Sequence, residues 1–345
     1  MERAHANRFV HPRGTPLIGL FGHLPCISRR FAAACAVALA AAFALAAQHA
    51  GAAADAPSSD DVQHRLDQLT TTGADAPVQF AAPEVLLRFY QHRDFALAWD
   101  DARAQTFLEI LRNADSQGLS PADYLVGELP TLPALSSLNG NARIDADAEL
   151  TEAFLRYAYH NRFGKVDPRA LDPSWNYARS VSANPYAALE RVIAAPDLAA
   201  QLDAEVGHGA MYDALRQILA RYRSYAAAGG WKTVPAGATL KPGVTDARVG
   251  AVRTRLAAEG FAAPATHDAN TFDEGLAAAV REFQAHHGLA ADGAIGAKTL
   301  AEMNVPASAL VDQLRINLER LRWVLVERTP RFIAVNIAGF RVYYL

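Results

Sequence analysis

Apolar side chains recur along most of this chain at helical spacing, and the clearest run is residues 272–304. Phe272, Leu276, Val280 and Phe283 step by four, four and three, which predicts a helix with one face that must be buried. His286-His287-Gly288 stops that helix and Leu289 follows as a lone apolar plug. Asp292-Gly293 predicts a tight turn in which glycine takes a positive φ, and Gly296 to Met303 predicts a short second helix. Upstream, Val249, Val252 and Leu256 carry the matching helical spacing, with Gly260 at the C-terminal cap. Three such helices form a unit of roughly 60 residues, within the range that folds alone.

The same pattern runs through the earlier chain. Pro83 opens a helix whose stripe is Val85, Leu86, Phe89 and Tyr90, and Phe95, Leu97 and Trp99 follow with the period of a short strand. Residues 104–114 predict a helix carrying Phe107, Leu108 and Leu111. Gly118 ends it, and Ser120-Pro121-Ala122-Asp123 predicts the start of another. Residues 130–148 read as a loop, after which Leu150, Phe154 and Tyr157 build an amphipathic helix ending at Gly164. Further helices are predicted over 186–193 and 211–225. The second carries Tyr212, Leu215, Leu219 and Tyr222 on one side, beside Arg216, Arg221 and Arg223. Such a stripe is either core or a face on which sugars stack, core being the commoner use.

Towards the end, Leu310, Leu314, Leu318, Leu321 and Leu325 step along a long helix. The period then changes: Ile333, Val335 and Ile337 alternate, Ala338-Gly339 offers a turn, and Phe340, Val342 and Tyr344 alternate again. The fold class expected from the spacing is therefore mainly α, closing on a β-hairpin. A two-stranded hairpin alone exposes its edges and apolar face.

Composition sharpens this picture. A chain of 345 residues with 51% hydrophobic content holds two or three domains with real cores. Arg29-Arg30, the alanine-dominated run from Phe31 to Ala47, and the small residues at 50–54 follow the order of a secretory signal peptide. No stable membrane span is expected after its removal. Both cysteines, Cys26 and Cys35, lie in this leader, so the mature chain is expected to lack disulfides, thiolate metal sites and a cysteine nucleophile. Without residues 1–50, which hold five arginines and one glutamate, the 33 basic and 36 acidic side chains become 28 and 35, a net charge of −7. That balance argues against nucleic acid as a partner.

Other candidate chemistry is weak. Asn113 to Gly118 resembles a calcium loop, but its twelfth position is Tyr124, where a bidentate carboxylate is needed. Asp167 and Asp172 could pair as acid and base, although each precedes a proline in turn-rich chain. No metal site and no cofactor is expected.

The paired arginines Arg253 and Arg255, followed by AVREFQ, GL, DG, IG, TL and MN in order up to Asn304, resemble the peptidoglycan-binding module of bacterial cell-wall enzymes, over about residues 245–305. The segments FYQHRDFALAW (89–99), LRNADSQGLSPADY (111–124), TEAFLRYAYHNRFGKVDP (151–168) and AAAGGWKTVPAGATL (226–240) are similar to the scaffold and connector of the larger murein L,D-transpeptidases. With them the resemblance extends over about residues 80–345.

The resemblance implies a signal peptide and leader over 1–54, a linker over 55–78 and a helical scaffold domain over 79–235. A three-helix peptidoglycan-binding domain follows over 243–305, then a connecting helix over 306–328 and the first strands of a catalytic domain over 331–345, which makes the hairpin the stub of an incomplete β-rich domain. It implies a periplasmic, wall-associated protein of cell-wall biogenesis and cell shape, with peptidoglycan as partner. In that family a cysteine within a Ser-His-Gly-x-x-Cys-like segment attacks the stem peptide and passes its acyl group to a neighbouring amine. No cysteine follows Cys35 and no histidine follows His287. The chain is thus expected to be truncated before the catalytic residues and inactive alone, with no catalytic residue to name. Alternatives are a non-catalytic wall-binding adaptor or the targeting part of a wall hydrolase. Contact with peptidoglycan is expected near Asp292, Gly293, Gly296, Lys298 and Thr299, where backbone amides could meet a stem-peptide carboxylate.

Overall fold

A computed structural model of the chain describes residues 56–71, 80–175, 184–207, 209–261, 263, 268–325, 333–336 and 341–344. The expected leader and signal peptide lie outside the described residues, as do Ile337, the turn at Ala338-Gly339 and Phe340.

The protein is mainly α, with twelve α-helices among the described residues. Helix α1 (Ser59–Thr70) lies inside the stretch expected to be a linker. Its start is fixed by a capping box in which the Ser58 hydroxyl accepts from the Asp61 amide and the Asp61 carboxylate accepts from Ser58. Val62, Leu66 and Leu69 bury its face, so the polar composition hid a narrow apolar stripe.

Helix α2 (Pro83–His92) begins on its proline and packs against α1 and the central helix α4 (Gly140–Phe163). Residues 95–99, expected as a short strand, instead leave a tight turn as extended chain. Asp94 and Phe95 take φ of 50° and 57°, and the Phe95 amide returns to the Tyr90 carbonyl at 2.9 Å. Left-handed backbone at two non-glycine residues ends any strand there.

Helix α3 (Asp101–Arg112) is capped by the Asp100 side chain. Short 3-10 turns follow at Ala114–Gln117, Pro121–Asp123, Leu129–Thr131 and Leu135–Ser137, so Pro121 opens a single turn and no helix.

Helix α4 starts at Gly140, within the stretch expected to be a loop. Its first turns carry Asp145 and Asp147, which read as polar chain, yet Asp147 is fully buried. The Asp147 carboxylate accepts from the Tyr90 hydroxyl (2.6 Å), the Ala98 amide (2.8 Å), the Trp99 amide (3.1 Å) and Arg143 Nη1 (2.9 Å). Around this knot Trp99 stacks on Phe107, and both meet Phe154 edge-on. Helices α6 (Pro185–Ala194) and α7 (Leu198–Val206) close the same core; α5 (Pro168–Leu171) is one turn outside it.

Helix α8 (Ala210–Ala227) pairs with α12 (Ala307–Leu325), the helix expected as a connector. They run antiparallel: Tyr212 near the start of α8 bonds Arg322 near the end of α12 at 2.6 Å, with Leu219 and Leu318 buried between. Everything from 228 to 306 is therefore an insertion between two arms of a helical hairpin. Gly164, at the end of α4, has φ +87°, and a Cβ there would stand 2.6 Å from Glu319 Oε1 and 2.7 Å from Trp323 Nε1. Only glycine lets α12 come that close.

The inserted unit has its own core, built from α9 (Val249–Ala258), α10 (Glu274–His286) and α11 (Ala297–Met303). Isolated bridges Leu240↔Ile295 and Thr245↔Thr271 tie its loops together. Strands β1 (Ile333–Asn336) and β2 (Arg341–Tyr344) pair antiparallel, Ile333 opposite Tyr344 and Val335 opposite Val342, and these four side chains are exposed.

Candidate functional site

The inserted unit is organised by a polar side chain on the apolar face of α10. Gln284, four residues after Val280, is 1% exposed. Its Nε2 donates to Asp292 Oδ1 (2.9 Å), the Ala294 carbonyl (2.9 Å) and Thr299 Oγ1 (3.1 Å), and its Oε1 accepts from the Gly293 amide (2.9 Å). One amide thus holds the turn and the first turn of α11 together. Its polarity inside an otherwise apolar stripe was the signal that could have singled it out.

The five residues expected at the contact surface divide accordingly. Asp292, Gly293 and Thr299 belong to the Gln284 network. The Asp292 carboxyl is held below its ordinary pKa by the Ala294 amide and by Gln284. Gly293 has φ +77°, and a Cβ there would stand 2.8 Å from Arg281 Nε, so the glycine both makes the turn and seats the guanidinium. Thr299 is buried. Gly296 is the N-cap of α11 at φ −84°, which any residue could adopt, and Lys298 is exposed. The amides of Gly293 and Ala294 are already used inside the turn. Arg281, unnamed by the sequence reading, adds an exposed cation over the turn, 3.6 Å from Glu274.

Behind the turn lies a buried ionic cluster joining the unit to the hairpin. Glu259 at the end of α9 receives Arg255 Nη1 (2.6 Å) and the Tyr222 hydroxyl from α8 (2.8 Å). Arg255 also donates to the Met303 carbonyl (2.6 Å) and lies 3.7 Å from the Trp231 ring. His287 stands between two carboxylates, Nδ1 at 2.9 Å from Glu302 and Nε2 at 3.7 Å from Glu259. The aromatic stripe of α8 is therefore used internally: Tyr212 is buried in the hairpin, and Tyr222 meets Tyr225 and Trp231 beside Glu259.

Burial pushes the His287 imidazole down, but Glu259 and Glu302 outweigh it and raise its pKa above 6.5. Burial pushes Glu259 up, and His287, Arg255 and Tyr222 outweigh that and bring it down to about 2. A raised histidine stabilises the fold below its ordinary pKa and loses that contribution as pH rises through the folded value. A lowered carboxyl stabilises above its ordinary 4.5 and loses it towards about 2. The melting-temperature gap between the protein and its H287Q variant should therefore be widest near pH 5–6 and close towards alkaline pH. A gap constant across that range would show that His287 carries no titrating contribution.

The other candidate acids are apart from this site and from each other's chemistry. Asp167 accepts from the Arg169 amide as a helix cap, and Asp172 accepts from the Ser174 amide and hydroxyl. Among the described residues no group of three or more His, Cys, Asp or Glu side chains is placed to share a metal ion, and no helix is long and apolar enough to cross a membrane.

Residues 245–303 match the family model of the peptidoglycan binding domain. Residues 84–219 match the family model described as a scaffold domain. No curated protein sequence matches the chain. The peptidoglycan-binding match coincides with the unit that Gln284 organises, and the scaffold match ends inside α8, the first arm of the hairpin.

Proposed function

We propose that this chain is the peptidoglycan-binding and positioning part of a periplasmic L,D-transpeptidase, reaching the wall through an N-terminal signal peptide. The observation that carries the reading is a scaffold match followed in order by a peptidoglycan-binding match. The working domains are 79–235 for the scaffold and 243–305 for the binding domain. The hairpin of α8 and α12 fixes one to the other, so the module presents peptidoglycan in a set orientation and is not a tethered anchor. On this reading β1 and β2 open the catalytic domain. The wall contact is the exposed rim of the turn, where Lys298 and Arg281 offer charge to stem-peptide carboxylates and Asp292, Gly293, Gly296 and Thr299 set its shape.

Residues 36–345 contain no cysteine. The reading therefore assigns them binding and positioning, not acyl transfer, and the same observation keeps open a non-catalytic wall-binding adaptor. Co-sedimentation with isolated sacculi tests the binding. The protein should pellet with the wall, and K298E should pellet several-fold less because it reverses an exposed charge without touching a core contact. Protein left wholly in the supernatant contradicts the proposal.

A further inference from the structure

The scaffold holds a cavity of about 500 Å³ that the peptidoglycan reading does not use. Val85 of α2, Leu155 of α4, Leu189 and Val192 of α6, and Leu202 and Val206 of α7 make its wall almost wholly apolar. A volume of this size, lined mainly by aliphatic side chains with a few polar groups among them, is that of a small-molecule site.

Glu152, Arg156, His160, Arg162 and Glu205 are the charged or imidazole side chains on this wall. Glu152, 8% exposed, pairs with Arg156 Nη2 at 2.9 Å. Arg156 Nε is buried and makes no hydrogen bond, an unmatched donor on a residue of the cavity wall. His160, on the same wall, has its Nδ1 3.0 Å from the Tyr124 hydroxyl. Burial keeps the proton on Tyr124 and the imidazole neutral. Tyr124 and Nδ1 share a single hydrogen bond, and in the tautomer where the phenol donates it Nε2 carries the ring hydrogen as a second donor.

Glu152 and Arg156 also border a second, more polar cavity of about 610 Å³, where Glu128, Asp145 and Glu149 outnumber Arg65. An anionic head group at this boundary would meet carboxylates, whereas a neutral acceptor would meet the two donors without that repulsion.

We infer that this cavity binds a single acyl chain through its aliphatic wall, with a neutral ester or amide carbonyl received at Arg156 and His160. The site is separate from the peptidoglycan-binding module and does not depend on it.

Isothermal titration of the full chain with monolaurin, kept below its critical micelle concentration, tests the assignment. One saturable site per chain is expected, with laurate, the corresponding acid, binding at least tenfold more weakly. Ala188→Trp, which places an indole in the cavity from α6, should abolish the heat. Arg156→Lys, which keeps the cation and removes Nε, should weaken binding about fivefold. Melting curves of both variants check that they fold. No monolaurin binding, laurate binding as tightly as the ester, or an unchanged affinity in folded Ala188→Trp each overturns the inference.

Discussion

Replacing Asp147 with alanine should cost the scaffold core about 3–5 kcal/mol, the usual consequence of removing one member of a buried, hydrogen-bonded ion pair. Four donors converge on this carboxylate from three parts of the chain: α2 through Tyr90, the extended segment through the Ala98 and Trp99 amides, and α4 through Arg143. The Ala98 and Trp99 amides would be left without that acceptor beside the apolar rings of Trp99, Phe107 and Phe154, while Tyr90 keeps Thr151 and Arg143 keeps the Trp99 carbonyl. The left-handed turn at Asp94 and Phe95 also depends on it, since the amides just beyond that turn are the ones Asp147 receives. Against a total stability of about 5–15 kcal/mol for a domain, such a loss leaves much of the protein unfolded. Urea unfolding followed by far-ultraviolet circular dichroism measures it. D147N should lose less, because one oxygen still accepts. A midpoint for D147A within error of the parent would show the knot to be dispensable.

The second large effect is expected at Arg322. Its guanidinium is 1% exposed and donates to the Gln117 carbonyl, the Tyr212 hydroxyl (2.6 Å) and Glu319 (3.2 Å). Arg322→Ala should cost about 3 kcal/mol, because it removes the charged donor that the Gln117 carbonyl, the Tyr212 hydroxyl and Glu319 share inside the hairpin. The loss should be local. Amide hydrogen exchange in α12 and α8 should accelerate by two orders of magnitude or so, while α10 within the inserted unit stays protected by its own core. Gly164→Val should produce the same pattern through a clash with Glu319 and Trp323. Uniform acceleration across α10 and α12 would mean that the inserted unit has no independent stability.

These two residues also mark where the sequence stopped being readable. The module over 272–304 was legible because its apolar residues follow a helical period and its turn residues sit where backbone geometry needs them. The start of α4 was not: Arg143, Asp145 and Asp147 look like a solvated segment, and only a contact with chain some fifty residues away makes Asp147 internal. The long leucine helix was foreseen, but its partner was not, since the residues that α12 meets on α8 lie on the far side of the whole inserted unit. At the candidate site, Asp292 and Gly293 are legible as a turn, and Gly296, Lys298 and Thr299 as the start of the next helix. Gln284, which binds the turn to that helix, stands in the sequence only as one polar position in an apolar stripe. Arg281 carries no such signal, because its proximity to Gly293 depends on a glycine having no Cβ.

The measurement closest to the central claim is a two-dimensional amide spectrum of the isotopically labelled chain, titrated with a soluble disaccharide-tetrapeptide fragment of peptidoglycan. Saturable shifts are expected on 292–299 and on Arg281, with the scaffold core unmoved. Shifts confined to 84–219, or none at a fragment concentration that saturates binding to whole sacculi, would contradict it.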